Sequence, residues 1–205
     1  MPRLNSPAPN GRVVLKTNIL EKKHFARIAA PISRGFMVAA SALALSLPAM
    51  ESQARDVGPA GGGGGGEFRI TCDPGGQLVG FDVVASHVLI RIAPVCGDRK
   101  KSPTDTYGRP WVGGEATGRT YKPRCELDAV ITILHVFWDK TPLVNRLGFT
   151  CWHTRNNRMT NSSANYGGQA VGNKRLICPQ GEIATGIYGR AGGAIDQLGL
   201  ICAPW

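Results

Sequence analysis

The stretch Cys178-PQGEIATGIYGRAGGAIDQLGLI-Cys202 decides the reading of the whole chain. It opens on Cys-Pro-x-Gly, runs through β-branched and aromatic residues broken by glycine, and closes on an apolar run ending in a second cysteine. That composition, punctuated by Gly, Pro and Asp, predicts strands rather than a helix. Its two cysteines are 24 residues apart, and the other four repeat the pattern: pairs 72/96 and 125/151 are separated by 24 and 26, and each opening cysteine lies 53 residues after the one before. A fixed period near 50 marks a repeated structural unit.

Other residues keep the same phase. A glycine doublet and a third glycine precede each pair: Gly61-Gly62 with Gly66, Gly113-Gly114 with Gly118, Gly167-Gly168 with Gly172. Each pair closes with an apolar residue four before the cysteine, Ile92, Leu147 or Leu198. The units span about 56–97, 108–152 and 162–205. Strand-forming segments include FRITC, QLVGFDVVA, AVITILHVFW and EIATGIYGR, and no amphipathic helical stretch follows residue 55. Ala129 to Trp138 reads as a strand buried on both faces. Three to four strands per unit would give about 9 to 12 strands, enough for a closed or three-sheeted body without exposed edges.

Outward from the repeats, Met1 to Ala54 reads as an export signal with a long basic n-region. Seven Lys/Arg precede the apolar run Gly35 to Met50, which is shorter than a membrane span of about 20 residues. Cleavage is expected after Ala54, leaving one domain over 55–205 and no membrane span. Of the 24 basic and 14 acidic residues of the chain, 17 and 12 lie beyond this segment. The densest basic patch there is Arg99-Lys100-Lys101, and no basic helix or aromatic-basic alternation points to nucleic acid.

Six cysteines behind an export signal imply disulfides and a secreted, periplasmic or extracellular location. Pairing within units (Cys72–Cys96, Cys125–Cys151, Cys178–Cys202) is preferred among the 15 connectivities six cysteines allow, and pairing between units would respect the symmetry too. Each bridge would contribute on the order of 3 kcal/mol.

Cys178-Pro179-Gln180-Gly181, the glycine-containing strand after it, and Asp196-Gln197-Leu198-Gly199-Leu200 ahead of Cys202 resemble the β-prism family of the vitelline membrane outer layer protein I type. The similarity covers about residues 56–205. It implies an all-β, threefold pseudo-symmetric β-prism of three Greek-key-like sheets, stabilised by disulfides.

Gly58-Pro59-Ala60-Gly61-Gly62 and Gly192-Gly193-Ala194-Ile195-Asp196 are similar to the loops of jacalin-related lectins. In that family a Gly-Gly loop and a Gly-x-x-x-Asp loop meet to form a sugar site. The resemblance implies a single shallow site, with Gly61 and Gly62 in the first loop and Gly192, Gly193, Ala194, Ile195 and Asp196 in the second. A carboxylate can accept from two vicinal sugar hydroxyls, and glycine lets backbone approach a ligand closely. The equivalent of Asp196 is Asn145 in the second copy and Ile90 in the first, and Thr141 and Ser86 replace Gly192. The alternative role for Asp196 is to bond the backbone of its own turn. The doublets at 113 and 167 read as hairpin glycines.

His87, His135 and His153 show no metal spacing, and no metal or cofactor is expected. Hydrolase elbows, phosphate loops and His-Glu-x-x-His helices are missing, and Glu182, Asp82 and Asp128 fall at different phases of the repeat, so the chain reads as non-enzymatic. Trp138-Asp139 could stack on a sugar, although core and turn packing is the commoner role. Asn156 to Asn165 reads as an exposed loop carrying the sequon Asn161-Ser162-Ser163. The expected partners are glycans or extracellular-matrix and cell-surface components, and the rival role is structural or protein-binding.

Overall fold

A computed structural model describes residues 53–98 and 104–205, with backbone alone for 161–165. All but the last two residues of the expected export signal, the patch Arg99-Lys100-Lys101 and the sequon side chains lie outside the described residues.

The described chain is all-β, with 13 strands. Three long hairpins form its frame: β3 (Gly76–Ala85) with β4 (Leu89–Asp98), β8 (Ala129–Trp138) with β9 (Val144–His153), and β12 (Glu182–Ala191) with β13 (Ile195–Pro204). Around them lie β1 (Arg55–Gly61), β2 (Gly66–Thr71), β5 (Thr106–Gly108), β6 (Val112–Gly113), β7 (Arg119–Tyr121), β10 (Arg158–Gly167) and β11 (Gly172–Ile177). The count exceeds the expected range because the second copy splits one flanking strand into the short β5 and β6, both paired to β4.

The strands make three antiparallel sheets, β1-β13-β12-β2, β5-β4-β3-β7 and β10-β9-β8-β11. In the last, β8, β9 and β10 follow one another and β11 returns beside β8, which is the Greek-key order. The second sheet repeats it with β3, β4, β5 and β7. The first is the same motif interrupted by the chain ends: Arg55 lies opposite Cys202, so the ends of the folded chain meet in neighbouring strands. No sheet coincides with one sequence unit. The strand ahead of each opening cysteine (β2, β7, β11) pairs with the hairpin of the preceding copy in the ring, β12, β3 or β8 respectively.

This exchange explains what the disulfides do. The bridges are Cys72–Cys96, Cys125–Cys151 and Cys178–Cys202. Each is local in sequence, yet each joins two sheets, because the opening cysteine follows a strand of one sheet and the closing cysteine sits on the hairpin of the next. A repeated bulge prepares the junction. The pairing of β3, β8 and β12 slips at Leu78/Gly80, Ile131/Ile133 and Ala184/Gly186, opposite or beside the closing cysteine. The bulged residue's carbonyl then accepts from the opening cysteine of another copy: Thr185 from Cys72 at 2.8 Å, Val79 from Cys125 at 2.8 Å, Thr132 from Cys178 at 2.9 Å. A bulge frees a backbone group from its ladder and re-aims it.

The core fills the space between the sheets. Ile92, Leu147 and Leu198, the residues four before each closing cysteine, are fully buried. Phe81 and Phe149, from different sheets, meet edge to face with centroids 5.6 Å apart. Ala129, Val130 and Ile131 are buried in succession as expected, and so are Ile133 and Leu134, but Thr132, His135, Phe137 and Trp138 are only half-buried.

Asn156 to Asn165 is not a loop. After a turn at 154–157, β10 pairs with β9 from Arg158 onward. An edge strand takes hydrogen bonds from one side only and needs no apolar face when that face is solvated, so its polar composition conceals it. The sheets also keep their edges. Pro59 and the break in pairing between Val57 and Ala60 on β1, Glu67 and Arg69 on β2, and Lys174 and Arg175 on β11 supply the breaks and charges that discourage further pairing.

Candidate functional site

At the end of the prism opposite the cystines, three hairpin tips (86–88, 139–143 and 192–194) meet three glycine doublets. The doublets are equivalent in space as well as in sequence. Gly61, Gly113 and Gly167 have φ of +114°, +111° and +127°, a region that side chains rarely adopt. The second glycine of each doublet donates to the carbonyl six residues before a closing cysteine: Gly62 to Asp196 at 2.8 Å, Gly114 to Ile90 at 3.0 Å, Gly168 to Asn145 at 3.1 Å. The doublets at 113 and 167 are therefore not hairpin glycines. They end flanking strands pressed against the neighbouring hairpin, where a Cβ would collide with that strand's backbone.

Only the third copy has a carboxylate six residues before its closing cysteine, Asp196 against Asn145 and Ile90. Gly61 to Gly66 connects β1 to β2 and folds against the tip formed by Gly192, Gly193 and Ala194 and the Ile195-Asp196 pair after it. Gly192 N donates to Ala194 O at 2.9 Å, closing the turn with backbone alone. The Ile195 side chain is fully buried and anchors the tip in the core, so only its backbone faces the loops. Asp196 is half-buried, and among the described residues no group donates a hydrogen bond to its carboxylate or forms an ion pair with it. Its oxygens face Gly64 and Gly65, where a Cβ on Gly65 would stand 2.6 Å from Oδ2. The turn-bonding role belongs instead to Asp139 in the equivalent hairpin, whose Oδ1 accepts from Thr141 N at 2.8 Å and Thr141 Oγ1 at 2.6 Å.

Two features of this arrangement were missed in the sequence. Gly64 and Gly65, rather than the doublet alone, lie against the carboxylate. Arg190 straps them down: Nε donates to Gly64 O at 3.0 Å, one terminal nitrogen to Gly65 O at 2.7 Å, and the other to Glu67 at 2.9 Å. An arginine two residues ahead of a Gly-Gly tip and a glutamate at the end of the glycine run were the available signal. Arg190→Ala is expected to raise amide hydrogen exchange at Gly64 and Gly65 about tenfold, the loss of charged hydrogen bonds near the surface. Unchanged exchange would show that the run is held by other contacts.

The other copies lack this geometry. Asn145 is buried, its Nδ2 donating to Gln169 O, and Ile90 is buried and has no polar side-chain atom to offer. Trp138 lies over Gly172 and does not stand free as a stacking platform. His135 Nε2 lies 3.0 Å from Thr150 Oγ1, and burial, aided by the Arg175 charge, lowers its pKa below the usual value. Among the described residues no cluster of His, Cys, Asp or Glu could hold a metal. A surface hollow of about 540 Å³ borders the strap, lined by Glu67, Arg190 and Gln197 together with Asp56, Arg69 and Tyr188.

No protein-family model matches the sequence, and no characterised protein sequence matches it either. Solved structures do resemble the fold. Wild-type Malaysian banana lectin superposes with a TM-score of 0.57 at 20% identity, covering 75% of this chain and 100% of that one. Artocarpin, described as a lectin with mannose specificity, gives 0.57 at 17% identity over 74% of this chain and 98% of its own. A mannose-binding jacalin-related lectin from Ananas comosus gives 0.58 at 18% identity, over 74% and 99%. At these identities the likeness is one of architecture, and the chain has the β-prism fold seen in jacalin-related lectins.

Proposed function

We propose that this is an exported, non-enzymatic carbohydrate-binding protein with one shallow site, where Gly61 to Gly65 meets Gly192 to Asp196. The observation that carries the reading is the half-buried Asp196 carboxylate, which receives no hydrogen bond among the described residues while its neighbours are exposed glycine backbone. A carboxylate left without donors at a surface cleft is suited to two adjacent hydroxyls of a sugar. The fold neighbours that bind mannose support mannose and short mannosides as the first probes. The paired cysteines support an oxidising compartment after export.

The test is a glycan array probed with the oxidised protein beside Asp196→Ala. Asp196→Ala is expected to weaken binding by about a hundredfold, the loss of two hydrogen bonds to a charged acceptor. A well-folded wild type that binds no glycan would refute the reading and favour a structural or protein-contacting role.

A further inference from the structure

The cystine end of the prism carries a second feature, independent of the loop site. A hollow of about 580 Å³ opens there, lined chiefly by Ile133, Trp152, Met159, Ile177, Trp205 and Glu182. Met159 and Ile177 are half-exposed, and Trp152 and Trp205 meet edge to face with centroids 5.6 Å apart. Trp152 Nε1 donates to Asn157 Oδ1 at 2.8 Å, which fixes the ring. Large apolar side chains gathered around a concave surface of this volume form the usual setting of a small-molecule site.

The charged side chain in this lining is Glu182. Its side chain is 8% exposed, and Oε1 accepts from Arg55 Nε at 3.1 Å, an arginine that is itself 62% exposed. Oε2 is buried and has no hydrogen-bond partner among the described residues. A carboxylate offers about four acceptor positions, and leaving one of its oxygens buried without a donor is costly. The missing component is therefore a donor, best a cationic one, since a charge-assisted hydrogen bond is the stronger kind and indole faces attract cations. The apolar lining requires the rest of the molecule to be hydrocarbon.

We infer that this hollow binds a small amphiphilic primary amine, its ammonium donating to the Glu182 carboxylate and its aryl or alkyl body lying against Trp152, Trp205 and Met159. The full oxidised chain, labelled with nitrogen-15, is titrated with 2-phenylethylamine, 2-phenylethanol and phenylacetate while its four indole N–H signals are followed. The amine should shift the Trp152 and Trp205 signals saturably and leave Trp111 and Trp138 unmoved. The alcohol should bind about tenfold more weakly, and the acid should not bind.

Glu182→Gln should bring the amine down to the level of the alcohol. Because Glu182 also holds Arg55 at the start of β1, a second variant, Ile177→Trp, fills the hollow from a half-exposed position and should abolish the shifts in a folded protein. No saturable shift at Trp152 and Trp205, or equal binding of all three probes, would overturn the proposal. Neither result bears on glycan binding at the other end of β12.

Discussion

Phe149→Ala is expected to lower the free energy of unfolding by about 3–5 kcal/mol. Phe149 on β9 is 1% exposed and packs edge to face on the fully buried Phe81 of β3, so the pair bridges two sheets where the prism is filled. Removing the ring forfeits its burial and leaves a cavity between elements that cannot collapse, because each sheet is tied to its neighbours by a cystine. Domains of this size are stable by only about 5–15 kcal/mol, so the variant should sit near the edge of folding at 37 °C. Denaturant titration of the oxidised proteins measures it. Met159→Ala, at a half-exposed position, supplies the comparison and should cost about 0.5 kcal/mol. A loss below about 1.5 kcal/mol for Phe149→Ala would mean that the space between the sheets is not closely packed.

Replacing both members of the third bridge, Cys178→Ser with Cys202→Ser, should cost about 3.5 kcal/mol, the chain-entropy value for a loop of this length. The bridge spans 24 residues but joins the sheet containing β8 to the one containing β13. Cys202 also lies opposite Arg55 in the strand pair that closes the ring of sheets at the chain ends. Its loss should therefore be felt first at β1, as faster amide exchange from Asp56 to Gly61, and only then in global stability. Denaturation midpoints and exchange of the double variant test both parts. A cost under about 1 kcal/mol with β1 still protected would show that strand pairing alone holds this seam.

The threefold plan was legible because it is written three times. One cysteine pair would say little, but three pairs at the same phase, each with an apolar residue four before its end, favour the bridges within units and mark three fully buried positions. The edge strand β10 was not legible, since its Asn, Ser and Thr residues are those a loop would carry. Nor was the division of labour among the carboxylates. Asp139 and Asp196 stand in equivalent hairpins, yet Asp139 bonds its own turn because Thr141 supplies two donors there. Asp196 has no such neighbour, since Gly192 and Ala194 close their turn with backbone.

What the sequence determined by itself is local or periodic: strand character, the spacing of the cysteines, the buried positions and the glycines that permit a tight corner. What only the tertiary structure decided is non-local. The sequence does not say that the strand before each opening cysteine leaves its own unit for another hairpin, that a local disulfide thereby becomes a bolt between sheets, or that Arg190 reaches back more than a hundred residues to hold Gly64 and Gly65 against Asp196. The physical reason is that a strand carries its alternation in its own residues, whereas its partner is chosen by the hydrogen bonds left free at the edges of other strands. That choice exists only once the hairpins have folded around a common core.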